Sequence, residues 1–476
     1  MKLLIILSAM TAALQAAALD ISSTAGKLRE AVNGATAAAT LKVSGSVNAA
    51  DIMFIQSEMM SLTSLDLSGA AIEEYNGEPL LNSVAHSPAG SIPPAAFLGM
   101  KLASFSFPSN TTSIGDGAFG ATALTAVEVP AGVTAMGSSA FADCQALASA
   151  SLPATVTRIG TGTFRGCGNL ASVTIASPIR EIPALTFAGC AALRNIDIPR
   201  SVRIIGERAF ADSGLAAAEL NDIDSIAPWA FAGCRALASV TFSGTTPDAI
   251  GQGAFFRDSN AEVRLGGLME SLSEIQPHSF TGVKAVSGLG TPAASSVGKV
   301  GEYAMAYTSP GTTVYLPAEL REIGEAAFAN WRGVREIDVT DLPDLPEIGP
   351  GIFGDIDKPN TILYVAAEMI PAFSDAEQWK EFDIRARTSG ETGVDMPATP
   401  AAAEVKAWFE GTLIHLASTA AITSVELYDL AGLRLAVVPA AGTLSITLDT
   451  APFPGRAYIA RVNHGPSAAT LLKLAR

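Results

Sequence analysis

Residues 158–175 read RIGTGTFRGCGNLASVTI, and this arrangement of Ile, Gly, Phe and later aliphatic residues returns along most of the chain. Aligning the chain on the Phe brings twelve units into register, at steps of 21–25 residues. The reference positions of the units are Phe97, Phe119, Phe141, Phe164, Phe187, Phe210, Phe231, Phe255, Phe280, Met305, Phe328 and Phe353. Five positions before each of them stands an aliphatic residue or Met, which Gly follows in eight units. A repeat of this length predicts a solenoid or a related repeat array.

Each unit predicts one coil of the solenoid. The Leu-x-x-aliphatic-x-aliphatic segment, as in residues 170–175, is typical of a short strand whose last two apolar side chains point the same way. A Pro often follows, and it ends the strand because it has no N–H to donate. We interpret the Ile-Gly pair as the start of a tight turn that glycine permits, and the Phe as the filling of the coil. One coil cannot bury this set alone, so the coils must stack into one continuous core.

The strand ladder is predicted to begin before the first Phe unit. Residues 62–67, LTSLDL, repeat the strand pattern without a Phe after it. The composition agrees with a folded repeat protein, since 49 % of residues are hydrophobic and only 16 % are charged. A disordered acidic tail is excluded on that ground. The net charge of −16 also argues against a nucleic-acid partner, because phosphate would be repelled.

The amino-terminal residues 1–18, MKLLIILSAMTAALQAAA, predict a secretory signal peptide with cleavage after Ala18. The alternative is a membrane-spanning helix, but the apolar run from Leu3 to Leu14 is short for a hydrocarbon core of about 30 Å. No Cys lies near the cleavage point, which argues against a lipoprotein anchor. No later stretch of about 20 apolar residues occurs. The sequence therefore predicts an exported protein without a membrane span after processing.

The repeat resembles the BspA-type leucine-rich repeat of bacterial surface proteins over about residues 40–385. Residues 158–175 and residues 204–214, IIGERAFADSG, carry the pattern most clearly. Residues 362–384 are similar to the closing segment of that family, in which Phe373, Trp379 and Phe382 would cover the last coil, although Ala366 stands where the family usually has Pro. The stretch from about Leu41 to Asp66 is similar to the first cap of such proteins in the Bacteroidetes.

The carboxyl-terminal residues 403–476 alternate apolar and polar residues between turn signals, which is typical of a small all-β domain. They resemble the sorting domain of the type IX secretion system, with Tyr428, Asp429 and Gly432 in matching places. Leu433 stands where that family usually has Arg, and Gly455 to Tyr458 holds one extra residue. An unrelated immunoglobulin-like β module is the alternative. The resemblance implies that this domain contacts the type IX secretion machinery and is then removed.

The predicted fold is mostly β, a leucine-rich-repeat solenoid of about 12 coils of 21–25 residues followed by a small C-terminal β-sandwich domain. The predicted organisation is a signal peptide at 1–18, an N-terminal cap with the first irregular repeats at 19–90, the solenoid at 91–361, its C-terminal cap at 362–387, a Gly-, Pro- and Thr-rich linker at 388–402, and the sorting domain at 403–476.

Four cysteines share one position, three residues after the Phe of their units: Cys144, Cys167, Cys190 and Cys234. Three of them lie on adjacent coils, about 5 Å apart and near disulfide range. A buried apolar column, a disulfide and a metal site therefore stay open as interpretations. The histidines His86, His278, His415 and His464 share no spacing, and no common hydrolase, phosphate-loop or calcium-loop motif occurs. The sequence predicts no catalytic residue, no cofactor and no metal.

The outward side of the predicted strands carries the candidate binding residues. Between the two buried aliphatic residues of each strand, one side chain points outward. Four of the ten side chains aligned at this position are small hydroxyls, and the larger ones are Asp66, Glu128, Asp197, Glu219, Tyr315 and Asp338. Either this is a solvated surface, or it is a docking surface for an extended or basic protein segment.

We interpret the protein as an exported adhesin or protein-binding scaffold, extracellular or on the outer cell surface, that acts without chemistry. The resemblance implies a protein partner such as a host matrix or cell-surface protein, or another bacterium. Two alternatives remain. One is a structural spacer of the surface layer without a specific ligand. The other is a secreted hydrolase on a repeat scaffold, which would need a cluster of acids that the repeat does not explain.

Overall fold

The computed structural model describes residues 18–80, 84–264, 271–287, 295–387, 405–410, 413–428, 434–449, 457–463 and 469–475. The chain forms two compact units, Met1–Glu391 and Thr392–Arg476. The first 17 residues of the predicted signal peptide and the predicted linker at 388–402 lie outside the described residues. The predicted fold class, a mostly β solenoid followed by an all-β domain, is confirmed.

Three parallel strands and two helices open the first unit. The strands are β1 (Ala18–Ser23), β2 (Thr40–Val47) and β3 (Ser64–Ile72), and the helices are α1 (Leu28–Val32) and α2 (Ala49–Glu58). Helix α2 begins with a capping box, in which the Asn48 side chain accepts from the Asp51 N–H and the Asp51 carboxylate accepts from the Asn48 N–H. A short hairpin, β4 (Tyr75–Asn76) and β5 (His86–Ser87), precedes the first Phe unit.

The predicted strands form a parallel ladder whose outward side we call the strand face. Its members after β3 are β7 (Ser104–Ser106), β9 (Ala126–Glu128), β11 (Ser149–Leu152), β12 (Ser172–Ile175), β15 (Ala217–Asn221), β17 (Ser239–Ser243), β19 (Glu262–Arg264), β21 (Ala285–Ser287), β23 (Thr313–Tyr315), β25 (Glu336–Asp338), β27 (Ile362–Val365) and β28 (Asp383–Ala386). They pair as four separate sheets, β1–β2–β3–β7, β9–β11–β12, β15–β17–β19–β21 and β23–β25–β27–β28. The ladder begins before residue 97, as predicted, but it is interrupted three times.

A second parallel ladder consists of two-residue strands that end at the aliphatic residue five positions before the Phe. Its members are β6 (Ser91–Ile92), β8 (Ser113–Ile114), β10 (Ala135–Met136), β13 (Glu181–Ile182), β14 (Ile204–Ile205), β16 (Ser225–Ile226), β18 (Ala249–Ile250), β20 (Glu274–Ile275), β22 (Lys299–Val300), β24 (Glu322–Ile323) and β26 (Glu347–Ile348). A turn does begin at this glycine, as predicted, since the Gly206 carbonyl accepts from the Ala209 N–H at 3.1 Å, but the predicted reason for the glycine is wrong. Glycine is needed there because the coils touch: a Cβ on Gly206 would lie 2.5 Å from the backbone nitrogen of Ala184.

A third ladder, which we call the Phe ladder, runs through the Phe segments. The residues two before and two after each reference residue have positive φ in all twelve coils, for example Leu185 (φ 60°) and Gly189 (φ 73°) around Phe187. In the first eleven coils, the three backbone N–H groups at these positions and at the reference residue donate to carbonyls of the next coil at 2.6–3.1 Å. All donors of the ladder thus point towards the carboxyl end of the stack.

The core is a column of aromatic rings inside the coils. From Phe97 to Phe280, neighbouring reference rings stack at 5.1–5.8 Å between centroids. Met305 takes the place of one ring and is fully buried. At the end of the column Trp379 and Phe382 pack edge-on against Phe353, each at 5.1 Å. This closing segment also holds 3₁₀ turns at Lys358–Asn360 and Ala367–Met369 and helix α3 (Ile370–Asp375).

The second unit is an antiparallel β domain of five strands, β29 (Val405–Glu410), β30 (Leu413–Tyr428), β31 (Arg434–Asp449), β32 (Ala457–Asn463) and β33 (Ala469–Ala475). Strand β30 pairs with β29 through its first half, with β32 through its second half, and with β31 along both. Its buried core includes Ile414, Leu416, Val425, Leu427 and Val462. In the described parts of both units, none of the helices has the length and apolar character needed to cross a membrane.

Candidate functional site

The strand face carries exposed acids on two of its sheets. Glu128 lies opposite Ser151 in the register of β9 and β11, and Glu219 lies opposite Thr241 in that of β15 and β17. Both carboxylates are exposed, and neither has an ion-pair partner among the described residues. Their predicted role in binding stays a prediction, but their outward position makes them accessible to a partner.

Asp338 lies on the strand face but is covered, so the prediction that it is accessible to a partner is wrong. It is only 6 % exposed, and one of its carboxylate oxygens lies 2.6 Å from Nη1 of Arg387, which is itself 9 % exposed. The other oxygen accepts the Thr340 N–H at 2.9 Å. The Arg387 guanidinium lies 3.2 Å above the Tyr364 ring and covers this end of the strand face. A buried ion pair of this kind belongs to the structure of the closing segment.

Asp66 and Tyr315 lie at other parts of the strand face, and both are only half-buried. Asp66 accepts hydrogen bonds from the Ser68 hydroxyl at 2.6 Å and the Ser68 N–H at 2.9 Å, which hold its pKa below the usual value. Tyr315 lies opposite Asp338 in the register of β23 and β25. The six predicted residues are therefore spread along the solenoid and do not form a single site.

Residues 195–198 form the most unusual part of the strand face. They stand where a strand is expected between β12 and β15, but they pair with neither. Within the described part of the chain, their backbone N–H and C=O groups make no hydrogen bond. Ile196 and Ile198 are half-buried and pack against the core, while Asp197 is exposed. The second ladder runs past this coil without interruption, through β13, β14 and β16, so the opening affects the surface alone.

A cleft of about 300 Å³ lies at this opening. Its lining includes Asp197 and Glu219 together with Asn195, Arg200 and Asn221. The structure thus brings two of the predicted binding residues to one place and adds three polar side chains that the sequence did not single out. Unpaired backbone beside carboxylates suits an extended segment that adds as a strand and carries basic side chains.

The cysteine column is buried and hydrogen-bonded. All four thiols are free, and the Sγ of Cys144, Cys167, Cys190 and Cys234 each donates to the carbonyl of the reference Phe one coil earlier, at 3.0–3.2 Å. In Trp331, at the same place in its unit, the indole N–H does the same to Met305 at 3.0 Å. In these five coils the residue at this position donates a hydrogen bond to the preceding coil, whereas Met100, Val283 and Ile356 hold the same position without a donor. Among the described residues no group of three His, Cys, Asp or Glu could hold a metal ion.

We expect the four thiols of the native protein to resist alkylation. Burial raises the pKa of Cys190 and of Cys234 to about 12, so almost no thiolate forms near pH 8. Reaction with iodoacetamide should be more than about 100-fold slower than for free cysteine, since it needs local opening. In guanidinium chloride without reductant, all four thiols should react. A thiol that reacts quickly in the native protein, or fewer than four in the unfolded protein, would contradict the free buried column.

Comparisons with known proteins support the interpretation of the chain as a leucine-rich repeat protein. Residues 90–216, 159–287, 217–331 and 248–366 match the family model described as BspA type leucine rich repeat region, in six copies. No curated protein matches the sequence significantly. Among solved structures, the chain is similar to a leucine-rich repeat protein from Bacteroides ovatus, with 18 % identity, coverage of 73 % of this chain and 84 % of the other, and a TM-score of 0.50.

Two further solved structures are similar over much of their length. The pneumococcal vaccine antigen PcpA is 14 % identical over 73 % of this chain and 80 % of its own, with a TM-score of 0.37. A leucine-rich cell surface protein from Faecalibacterium prausnitzii is 20 % identical over 60 % of this chain and 84 % of its own, with a TM-score of 0.32. At these identities the structural comparisons speak to the fold alone.

Proposed function

The chain belongs to the BspA-type leucine-rich repeat family, and from this premise we propose that it acts at the bacterial surface as a protein-binding scaffold or adhesin. The family consists of repeat proteins that serve as scaffolds, and such repeats generally bind other proteins. One relative by fold is described as a cell surface protein and another as a vaccine antigen, which agrees with an exposed location.

The observation that carries the proposal is the opening at residues 195–198. Among the described residues its backbone N–H and C=O groups have no hydrogen-bond partner and are therefore available to a ligand. An extended segment of a partner can pair with them, and Asp197 and Glu219 beside them favour basic side chains in that segment. Glu128, three strands towards the amino terminus from the opening, extends the acidic character along the strand face. The proposed ligand is a basic, extended stretch of a host matrix or cell-surface protein.

Neutralising the three exposed acids is expected to weaken partner binding while the melting temperature hardly changes. The variant is Glu128→Gln, Asp197→Asn and Glu219→Gln together, and binding is measured by surface plasmon resonance on purified matrix proteins and extended Lys-rich peptides. Surface charges of this kind contribute little to stability but favour complementary partners. The loss of affinity should shrink at high salt, because the charge contribution is screened.

A matched control makes the same charge change away from the strand face. Glu207→Gln, Asp248→Asn and Glu302→Gln alter three exposed acids at other parts of the coils. This control should bind like the parent protein. If the strand-face variant also binds like the parent at both low and high salt, the docking surface lies elsewhere.

We further propose that export uses both ends of the chain, with residues 1–18 as a signal peptide and residues 403–476 as a type IX sorting domain. The second unit has its own core, and the solenoid has its own closing segment in Trp379 and Phe382. A chain truncated after Thr388 should therefore fold with an unchanged far-UV spectrum of its repeats. In its own host it should accumulate in the periplasm. A truncated protein that still reaches the cell surface would contradict the sorting role and favour an ordinary β module.

A further inference from the structure

A second cleft lies on the Phe ladder, at a different part of the coils from the strand face. It has a volume of about 440 Å³ and crosses four consecutive coils. Its floor consists of Ala188, Ala211 and Ala232, each one residue after the reference Phe of its coil. Phe256 takes the same place in the next coil and closes the floor at that end. Three consecutive alanines at this position therefore form a groove that runs parallel to the stack.

The walls of the cleft carry an excess of positive charge. Arg208, Arg235 and Arg257 line it and are exposed, and none of them has an ion-pair partner among the described residues. Asp212 is the only acid in the lining. The lining of the cleft thus has three positive groups and one negative group, whereas the whole chain has a net charge of −16. Guanidinium groups bind carboxylates and sulfates through two parallel hydrogen bonds.

Two aromatic rings complete the cleft. Trp229 is half-exposed and lies against Gly253, where a Cβ would meet the indole at 2.3 Å. The Phe256 ring stands nearly perpendicular to it, at 5.5 Å between centroids, and the Arg257 guanidinium lies 5.2 Å above that ring. Half-exposed aromatic rings beside a floor of methyl groups are suited to the C–H faces of sugar rings.

We propose that this cleft binds an acidic polysaccharide, whose sugar rings lie along the alanine floor and whose carboxylate or sulfate groups pair with the three arginines. An acidic peptide fits less well, because the backbone beneath the floor is already paired. The N–H groups of Leu185, Arg208 and Trp229 all donate to the next coil and leave no strand edge for a peptide to join. The proposal is independent of the strand face and would give the solenoid a second, chemically distinct ligand.

The test measures binding of the full chain to chondroitin sulfate, hyaluronan, neutral dextran and polyglutamate by isothermal titration calorimetry at 0.15 M NaCl. At this salt concentration the Debye length is about 8 Å, so long-range repulsion by the acidic chain is screened while direct contacts persist. Saturable binding of one or both acidic glycans, without binding of dextran, is expected. Binding of chondroitin sulfate alone would assign the site to sulfate groups, and equal binding of hyaluronan would assign it to carboxylates.

The variant Arg208→Gln with Arg257→Gln should bind the glycan at least about tenfold more weakly, which corresponds to the loss of one or two charged contacts. Trp229→Ala should also weaken binding and should abolish any change of tryptophan fluorescence on titration. The matched controls are Arg332→Gln, which alters the same position of another coil as Arg235, and Tyr303→Ala, which alters the same position as Trp229. Both should bind within about twofold of the parent.

Three results would overturn the proposal. They are the absence of saturable binding to either glycan, equal affinity of the arginine variant and the parent, and polyglutamate binding as tight as glycan binding. The strand-face variant with three neutralised acids serves as a cross-check. It should keep its glycan affinity even if it loses its protein partner, so the two proposals can fail separately.

Discussion

Replacing Phe187 by Ala is expected to lower the free energy of unfolding of the solenoid by about 3–5 kcal/mol. The side chain is 1 % exposed and stacks between Phe164 and Phe210, at 5.8 Å and 5.4 Å between centroids. Its removal leaves a cavity in a column that neighbouring coils cannot easily collapse. Because each coil contacts only its neighbours, the loss weakens the middle of the stack first. Urea unfolding followed by far-UV circular dichroism should become biphasic or begin at a lower concentration.

The control for this experiment is Phe373→Ala in the closing segment. Phe373 packs against Trp379 at 5.3 Å and lies at the end of the stack, so its loss should fray only the last coils. Hydrogen exchange of the central coils should stay close to that of the parent in this variant, and should rise in Phe187→Ala. A loss below about 1 kcal/mol for Phe187→Ala would contradict the role of the ring as the filling of the coil.

Replacing Asp258 by Cys or Asn is expected to raise the free energy of unfolding by about 4 kcal/mol at pH 7. Asp258 takes the position of the cysteine column, is 0 % exposed, and neither of its carboxylate oxygens has a hydrogen-bond partner among the described residues. Burial raises its pKa from 3.8 to about 9, so the folded protein holds a neutral carboxyl at pH 7.

The pH dependence gives the sign of this effect. The pKa in the folded state lies above that in the unfolded state, so the unfolded chain loses the proton first as pH rises. Stability of the parent should therefore fall between about pH 4 and pH 9, by up to about 1.4 kcal/mol per pH unit from this group. The gain in Asp258→Asn should be largest at about pH 9 and above and should vanish below pH 4. An unchanged difference between parent and variant over this range would contradict a neutral buried carboxyl.

Much of the fold was predictable because the repeat constrains it twelve times over. The Phe column, the strand ladder and the buried cysteine position follow from spacing and from the need to bury apolar side chains. The Phe ladder was not predictable, because positive φ occurs there at Leu185 and Trp229 as well as at glycines, and no residue type marks it. The reason for glycine after Ile was misread. A glycine required by close approach of the neighbouring coil cannot be told from sequence apart from one required by the φ angle of a turn.

The candidate site was less predictable than the fold. Residues 193–198, LRNIDI, match the repeat as well as neighbouring segments do. Their sequence therefore does not predict the opening at 195–198. Asp338 looked like any outward residue of the ladder, because its partner Arg387 lies 49 positions later in the chain. Asp197 and Glu219 were predicted from their register alone, and their role in binding stays a prediction. The features that the sequence did not predict depend on contacts between distant segments, which local sequence patterns do not encode.

The Phe ladder makes the two ends of the stack different, because its hydrogen bonds all point in one direction. Every coil offers N–H groups to the coil after it and carbonyls to the coil before it in one constant register, so any unit can follow any other. Duplication or deletion of a whole unit by recombination would leave this hydrogen bonding intact and change the reach of the protein by one step of 5.1–5.8 Å. Only the two terminal coils, whose free donors or acceptors need their own partners, would resist such exchange. Related chains should therefore differ in the number of units more readily than in the form of their ends.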